Sequence, residues 1–396
     1  MESLRKNRAL HIDDEAYSAL AMLKNELLLP ATKLANKEKY TEVLKHSLIR
    51  GKTFPFPLIL APAGQRNKEV LSSVQENELL DLVCDDIKIG EITTEEVYKI
   101  NKDERLHQVY GTSEFSHPGV HGTWQRLGSY AISGHYTLKN QDKKNIKYLV
   151  NDAKKRISAT RTSALMMTAN PLHRAHERLI RQAIEQTDLL VIFLLKPYNI
   201  NGINYDVRYQ ALEYFITNFL PQNRVVIIRL EHSYIFAGFN ELIIEAIVAK
   251  NSGCDTIIVG QDHEALGMYY DDNINKSILD KLIGIDIKVD IVSVYVYCDE
   301  CKTLVSKDTC PHGQHHHISY NDDSILQLIG HGLIPPAVLV RKEISALMLS
   351  KLFPNRFKNL QDLYSNILPA SGLLENYSEE EFYKELIKLY QTTSLT

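Results

Sequence analysis

The chain reads as an α/β protein with a β-rich N-terminal domain and a small helical C-terminal part. Three observations predict this. Over residues 150–296, apolar runs of strand length alternate with stretches of helical periodicity, which is how a parallel sheet with crossover helices is written in sequence. Over residues 1 to about 145, short apolar runs are punctuated by Pro and Gly, as short strands and turns are. Beyond 296, a Cys/His-rich insert precedes a helical tail. These shifts place three domains at 1–148, 149–297 and 298–396, with the polar stretch "KNQDKKNIKY" (139–148) as the first linker.

In chain order, "FPFPLILAPAG" (54–64), "HPGVHGTW" (117–124) and "LGSYAISGHYTL" (127–138) read as strands and turns of the first domain. In the second domain "TSALMMT" (162–168) is a strand, followed by a helix over about 171–186 and the buried strand "LLVIFLL" (189–195). A helix over 206–220, a strand over 224–230, a helix over 240–253, the strand "TIIVG" (256–260) and the strand "IKVDIVSVYVY" (287–297) complete it. In the tail, "SEEEFYKELIKLY" (378–390) sets Ser378 and Glu381 at capping-box spacing, with Phe382, Leu386 and Leu389 on one face.

Composition narrows the function. With 396 residues, 44% hydrophobic and 24% charged, each domain can bury a core. A net charge of −4 argues against a broad nucleic-acid-binding face. The N-terminus lacks an apolar h-region, and the longest apolar run is too short to span a bilayer. A cytoplasmic protein without nucleic-acid or membrane partners is expected.

The stretch "LMMTANPLHRAH" (165–176) carries the chemistry. Asn170 suits an N-cap and Pro171 the first helical position. His173 and His176, three residues apart, then share one face of the first turn. That turn follows a buried strand, at the end where open α/β sheets hold their ligands and where a helix start favours an anion. The expectation is a phosphate site with histidine donors.

"TANPLHRAHERL" resembles the nucleotide-binding motif of the sulfate adenylyltransferases (ATP sulfurylases), usually Q-T-R-N-P-x-H-R-A-H. "FPFPLILA", "HPGV", "DVRYQALEYFI", "FAGFNELIIEAIVAKNSGCDTIIVGQDHEALG" and "TCPHG" follow in the family's order. The resemblance implies a PUA-like N-terminal domain and a Rossmann-like nucleotidyltransferase domain of the HIGH type. It implies Mg²⁺-ATP, an anionic small-molecule acceptor, pyrophosphate release and a homo-oligomer. By the same resemblance His173, His176 and Asn170 are catalytic, while Thr168, Arg208, Gly260, Asp262 and His263 bind the nucleotide.

The chain departs from the pattern where the family binds sulfate. The family's Gln and first Arg fall on Met167 and Ala169, and G-R-D-H-A-G reads Gly260-Gln261-Asp262-His263-Glu264-Ala265. A third motif, I-S-G-T followed closely by Arg, reads Ile318-Ser319-Tyr320-Asn321 with no Arg before Arg341. Each charge-assisted hydrogen bond contributes roughly 1.5–3 kcal/mol, so losing two or three costs on the order of 10² to 10⁵ in binding or rate unless replaced. Arg174, Lys196 and Arg208 are the candidate replacements. Met167 and Ala169 would give the acceptor pocket an apolar wall, which suits an organic acceptor bearing phosphate or phosphonate. A non-catalytic nucleotide-binding homologue is the third reading.

Cys298, Cys301 and Cys310, in C-x-x-C followed by C-P-H, suit a closed tetrahedral zinc site in a small knuckle. His312 is the nearest fourth ligand, with His315, His316 and His317 close by. Cys84 and Cys254 read as buried small hydrophobes.

Overall fold

The computed structural model describes residues 8–139, 146–196, 202–231, 240–261, 281–368 and 376–390. In the N-terminal part, strands β1 (Arg8–His11), β2 (Leu60–Pro62), β3 (Leu79–Cys84), β4 (Ile87–Lys99) and β5 (Leu127–Leu138) form one sheet in the order β1-β3-β4-β5-β2. β4 and β5 pair antiparallel along most of their length. Gly134 sits opposite Thr93–Thr94 at this pairing, where any Cβ would overlap the Thr93 carbonyl oxygen. Leu80, Leu82, Ile92 and Ile132 are fully buried, and Phe54 and Phe56 pack edge to face.

Helices α1 (Asp14–Lys24), α2 (Lys102–Tyr110) and α3 (Pro118–Arg126) belong to the same part of the chain. The last corrects the expectation that "HPGVHGTW" is strand and turn. His117 Nδ1 accepts from the Gly119 and Val120 N–H groups at 3.2 and 3.4 Å, and a proline at the helix start needs no donor. The usual cap residues are Ser, Thr, Asp and Asn, so a histidine cap gives the sequence no ordinary start signal.

The second sheet is built from β6 (Thr162–Met167), β7 (Leu189–Lys196), β8 (Val225–Glu231), β9 (Thr256–Gly260) and β10 (Lys288–Val292), in the order β8-β7-β6-β9-β10. In chain order this is 3-2-1-4-5, the doubly wound arrangement whose ligand crevice opens where the order reverses, between β6 and β9. Those two strands run parallel, with Thr256 opposite Ser163 and Ile258 opposite Leu165. β7 shows why an uninterrupted apolar run is needed: Leu189 through Leu194 are fully buried. Helices α4 (Ile146–Ile157), α5 (Arg174–Gln186), α6 (Tyr205–Phe219) and α7 (Glu241–Asn251) alternate with the strands.

The run 287–297 is two strands and not one. β10 ends at Val292, and β11 (Tyr295–Cys298) joins a separate small sheet with β12 (Thr303–Ser306) and β13 (His317–Ile318), in the order β12-β11-β13. The alternation of apolar residues changes phase at Ile291-Val292 and Ser293 follows, a single-residue break that a reading of the whole run as one strand passes over. Helices α8 (Asp322–Gly330), α9 (Lys342–Leu352), α10 (Leu360–Ile367) and α11 (Glu379–Tyr390) come after it. α11 begins with the capping box expected: the Glu381 N–H donates to Ser378 Oγ at 3.2 Å and the Ser378 N–H to Glu381 Oε2 at 2.8 Å.

By compactness the chain divides into two units. One holds Met1–Met166, Asp188–Ile200 and Ile228–Ile291; the other holds Met167–Thr187, Asn201–Ile227 and Val292–Thr396. Within the second, Glu177 is almost fully buried and takes a two-point contact from Arg341, Nε to Oε1 at 3.0 Å and Nη2 to Oε2 at 2.7 Å. Arg174 adds Nη1 to Oε2 at 3.1 Å, while its Nε donates to the Ala337 carbonyl at 3.1 Å and its backbone N–H to the Leu339 carbonyl. Bidentate guanidinium pairing of this kind fixes orientation as well as charge. Among the described residues, no helix is long and apolar enough to cross a membrane.

Candidate nucleotide and metal sites

The connection from β6 to α5 is where sequence and structure differ most usefully. The expected cap, Asn170, does not cap α5: the helix starts at Arg174 and its N-cap is His173. The amide of Asn170 is used elsewhere, since its Oδ1 accepts the Ile203 N–H at 2.9 Å. Gly202 lies so close to that amide that a Cβ there would overlap it. Asn170 therefore pins the segment before α6 to the turn that precedes α5, and Pro171 belongs to that turn and not to the helix.

The two histidines take over the cap between them. His173 Nδ1 accepts the His176 backbone N–H at 3.3 Å, and His176 Nδ1 accepts the His173 backbone N–H at 3.4 Å. This is a capping box made of imidazoles. The rings stack at 3.7 Å between centroids, 14° apart, with Tyr320 at 5.1 Å from His173. Burial pushes His173 down to about 3. Burial, then the neighbouring His173, pushes His176 down to about 3 as well. Both rings are thus neutral near pH 7, and with Nδ1 accepting, each carries its proton on Nε2. His173 Nε2 lies 3.0 Å from Asp322 Oδ1. The His176 ring bonds to the Pro171 backbone. His176 thus spends its Nε2–H on the Pro171 backbone and His173 turns its Nε2 to Asp322, and the pair carries no fixed positive charge.

Arg208 is buried and donates from Nη1 to the Thr168 carbonyl at 2.9 Å, with its guanidinium 5.1 Å from the centre of the Tyr205 ring. Thr168 and Arg208 are therefore in direct contact. Met167 is 7% exposed; Ala169 is 0% exposed and holds a left-handed backbone, φ 46°. Arg174 is engaged by Glu177 and the Ala337 carbonyl. Gly260 ends β9 and Gln261 follows it in a turn, exposed. Asp262 and His263 lie outside the described residues. Sequence reasoning missed Asp322, Tyr320 and Glu177. Asn321 followed by two aspartates marks a helix start, and Asn321 Oδ1 does accept the Ser324 N–H at 2.8 Å, but no local pattern says that this start reaches His173.

The cysteines converge as their spacing requires. The Cys298, Cys301 and Cys310 sulfurs and one ring nitrogen of His312 all lie within 4.8 Å of one another. Cys301 Sγ is 3.9 Å from Cys310 Sγ and 3.3 Å from His312 Nδ1, and Cys298 Sγ is 3.5 Å from His312 Nδ1. Sulfurs on a tetrahedral zinc at about 2.3 Å stand roughly 3.8 Å apart, so the donor set fits that ion. His316 is turned to Asp299 at 2.8 Å, leaving His312 as the histidine of the cluster. Cys84 and Cys254 are buried thiols, and burial pushes both up to about 12.

Comparison with known proteins gives these sites a context. The family model described as ATP-sulfurylase matches residues 148–351, and one described as a PUA-like domain matches residues 1–141. A sulfate adenylyltransferase of Chloroflexus aurantiacus is 28% identical over 349 residues, covering 86% of this chain and 90% of that protein. One from Staphylothermus marinus is 31% identical over 288 residues, covering 71% and 75%. Among solved structures, the hexameric APS kinase from Thiobacillus denitrificans superposes with a TM-score of 0.63 at 17% identity. It matches 89% of this chain, which spans 64% of that longer one, and it speaks to the fold alone. The expected PUA-like domain and parallel-sheet nucleotide-binding domain are both present, and the chain belongs to the ATP-sulfurylase family of nucleotidyltransferases.

Proposed function

We propose that the chain transfers the adenylyl group of Mg²⁺-ATP to sulfate and releases pyrophosphate. The observation that carries this reading is the His173–His176 pair, held at the start of α5 with its ring protons on Nε2. On binding ATP the two Nε2–H groups exchange Asp322 and the Pro171 backbone for phosphate oxygens, and as neutral donors they stabilise the charge that moves onto pyrophosphate as the bond breaks. The acceptor oxyanion attacks the α-phosphorus directly, so the chain supplies positioning and electrostatics with no covalent intermediate. Asn170 holds the segment before α6 in place, and Arg208 with Thr168 forms the floor of the nucleotide site. Gly260, Asp262 and His263 are assigned to the nucleotide by the family motif they match. Mg²⁺ arrives with ATP and neutralises phosphate charge. The enzyme is homo-oligomeric by the same resemblance.

A second reading has its own support. Met167, Ala169 and Gln261 stand where the family motif carries Gln, Arg and Arg, and Ala169 has no exposed surface. Of the three cations that could stand in, Arg174 is engaged by Glu177 and Arg208 by Thr168. An acceptor that carries its oxyanion on an organic body, such as a phosphate or phosphonate, needs less of that missing charge and more apolar wall. The two readings separate on pyrophosphate release from Mg²⁺-ATP, with pyrophosphatase present, with and without sulfate. Sulfate-dependent release supports the first. Silence with sulfate, relieved by Met167→Gln with Ala169→Arg, supports the second. Release in neither protein, with ATP still bound, leaves a nucleotide-binding homologue without catalysis.

The zinc cluster is assigned a structural role, since four protein ligands leave no open position. Metal analysis of the purified chain should find one zinc per chain. Cys301→Ser should lose it and lower the melting temperature, and a chain that keeps its stability without zinc would contradict the role.

The buried imidazoles also make a pH prediction. Both are depressed from an unfolded value near 6.5 to about 3, so the unfolded chain takes up protons first as pH falls. Their stabilising contribution is complete above about pH 6.5 and is lost progressively toward pH 3, by up to about 1.4 kcal/mol per pH unit for each ring. Urea denaturation at pH 7.5, 6.0 and 5.0 should show a steeper loss for the native chain than for His176→Asn, which keeps an acceptor and removes one titrating ring. Equal slopes would mean that the ring is solvated and protonates normally.

A further inference from the structure

The N-terminal domain holds a charged group that the proposed chemistry does not use. Arg105, in the middle of α2, is 2% exposed. Its guanidinium lies over the Phe56 ring, 4.8 Å from the centroid. Among the described residues neither Nη1 nor Nη2 reaches a hydrogen-bond partner. A guanidinium stays charged in a protein, and leaving its donors unmet in the interior is costly.

Arg105 lines a pocket with an interior of about 60 Å³ and an open mouth. Leu20, Leu34, Leu58 and Leu60 form apolar walls, and Asp13, Thr123 and Arg126 supply the other polar groups. The neighbouring acids belong to the other cation. Arg126 Nη1 pairs with Asp13 Oδ2 at 2.9 Å and also contacts Glu15. Thr123 Oγ1 is shared by the Tyr110 hydroxyl at 2.5 Å and Arg126 Nη2 at 3.4 Å. Burial pushes Glu15 up to about 8, against the pull of Arg126, so Glu15 is mostly protonated at neutral pH and adds little negative charge. Arg105 is left with no acid of its own.

We infer that this pocket is a binding site for a small organic monoanion, with a carboxylate on the Arg105 guanidinium and an apolar body against the leucines. The planar fork matches a carboxylate in two-point geometry. One carboxylate balances the one uncompensated cation. Apolar walls with a few convergent polar groups are how small-ligand pockets are lined, and the open mouth lets the body of a ligand extend beyond the small interior. The site lies in the PUA-like domain and is separate from the His173–His176 pair in sequence and in chemistry, because it offers a full positive charge where that pair offers neutral donors.

The test uses the full-length chain, with sodium benzoate as the probe and sodium chloride holding ionic strength constant. The melting temperature should rise saturably with benzoate, by about 2 °C or more. Arg105→Met should abolish the rise, and without benzoate should melt at or above the native temperature, because a buried unmatched charge has been removed. Should that variant not fold, Arg105→Lys keeps the charge without the fork, and should need about 10-fold more benzoate for the same shift. Acetate, which has the carboxylate without the body, should also need about 10-fold more. The proposal is overturned if benzoate leaves the native chain unchanged, which would mean that water alone serves Arg105. It is equally overturned by a rise of the same size in Arg105→Met, or by acetate acting as strongly as benzoate.

Discussion

The first turn of α5 has to be closed by something, because the leading N–H groups of any helix have no partner inside it. Here the two groups that close it are imidazoles, each accepting the other's backbone N–H. That exchange sets the proton of each ring on Nε2, stacks the rings at 3.7 Å, and leaves His173 buried. It also frees Asn170 to hold Ile203, and it places Arg174 at the first helical position, where its N–H meets the Leu339 carbonyl. One capping arrangement thus fixes the tautomers, the electrostatics and the local connections of the proposed nucleotide site.

Such a site works through direction and not through charge. The rings are neutral because burial opposes protonation, and the ionic group at His173 is the Asp322 carboxylate. The missing arginines are consistent with that scarcity of positive charge. Guanidinium groups are present nearby, yet Arg341 and Arg174 converge on Glu177 and hold the start of α9 to α5. Among the described residues at the start of α5, these guanidinium groups serve architecture.

Much of this is legible in the sequence, for local reasons. The alternation of strands and helices from 162 to 260 is a pattern of period and length, and the observed elements match it to within a few residues. The cysteine cluster is legible because its four donors fall within fifteen residues and the knuckle has little freedom in how to fold around them. Ser378 and Glu381 speak for themselves in the same way. Where sequence and structure part, a longer-range contact or an unusual cap has overridden a local preference. Asn170 is a better cap than His173 by propensity, but Ile203 claims its amide. "HPGV" hides a helix capped by histidine, and the run 287–297 crosses from one sheet to another with only a phase change at Ile291-Val292 and Ser293 to mark it. Asp322 and Glu177 are invisible locally because His173 and Arg341, their partners, are far along the chain.

The central claim is that the His173–His176 pair serves adenylyl transfer to sulfate, and the reverse direction tests it most directly. Adenylylsulfate and pyrophosphate are supplied with Mg²⁺, and ATP formation is read as light emission from luciferase. The native chain should form ATP, and His176→Ala should do so about 10² to 10³ times more slowly while remaining folded. ATP formation undiminished in that variant, or none at all from a folded, zinc-loaded native chain, would contradict it.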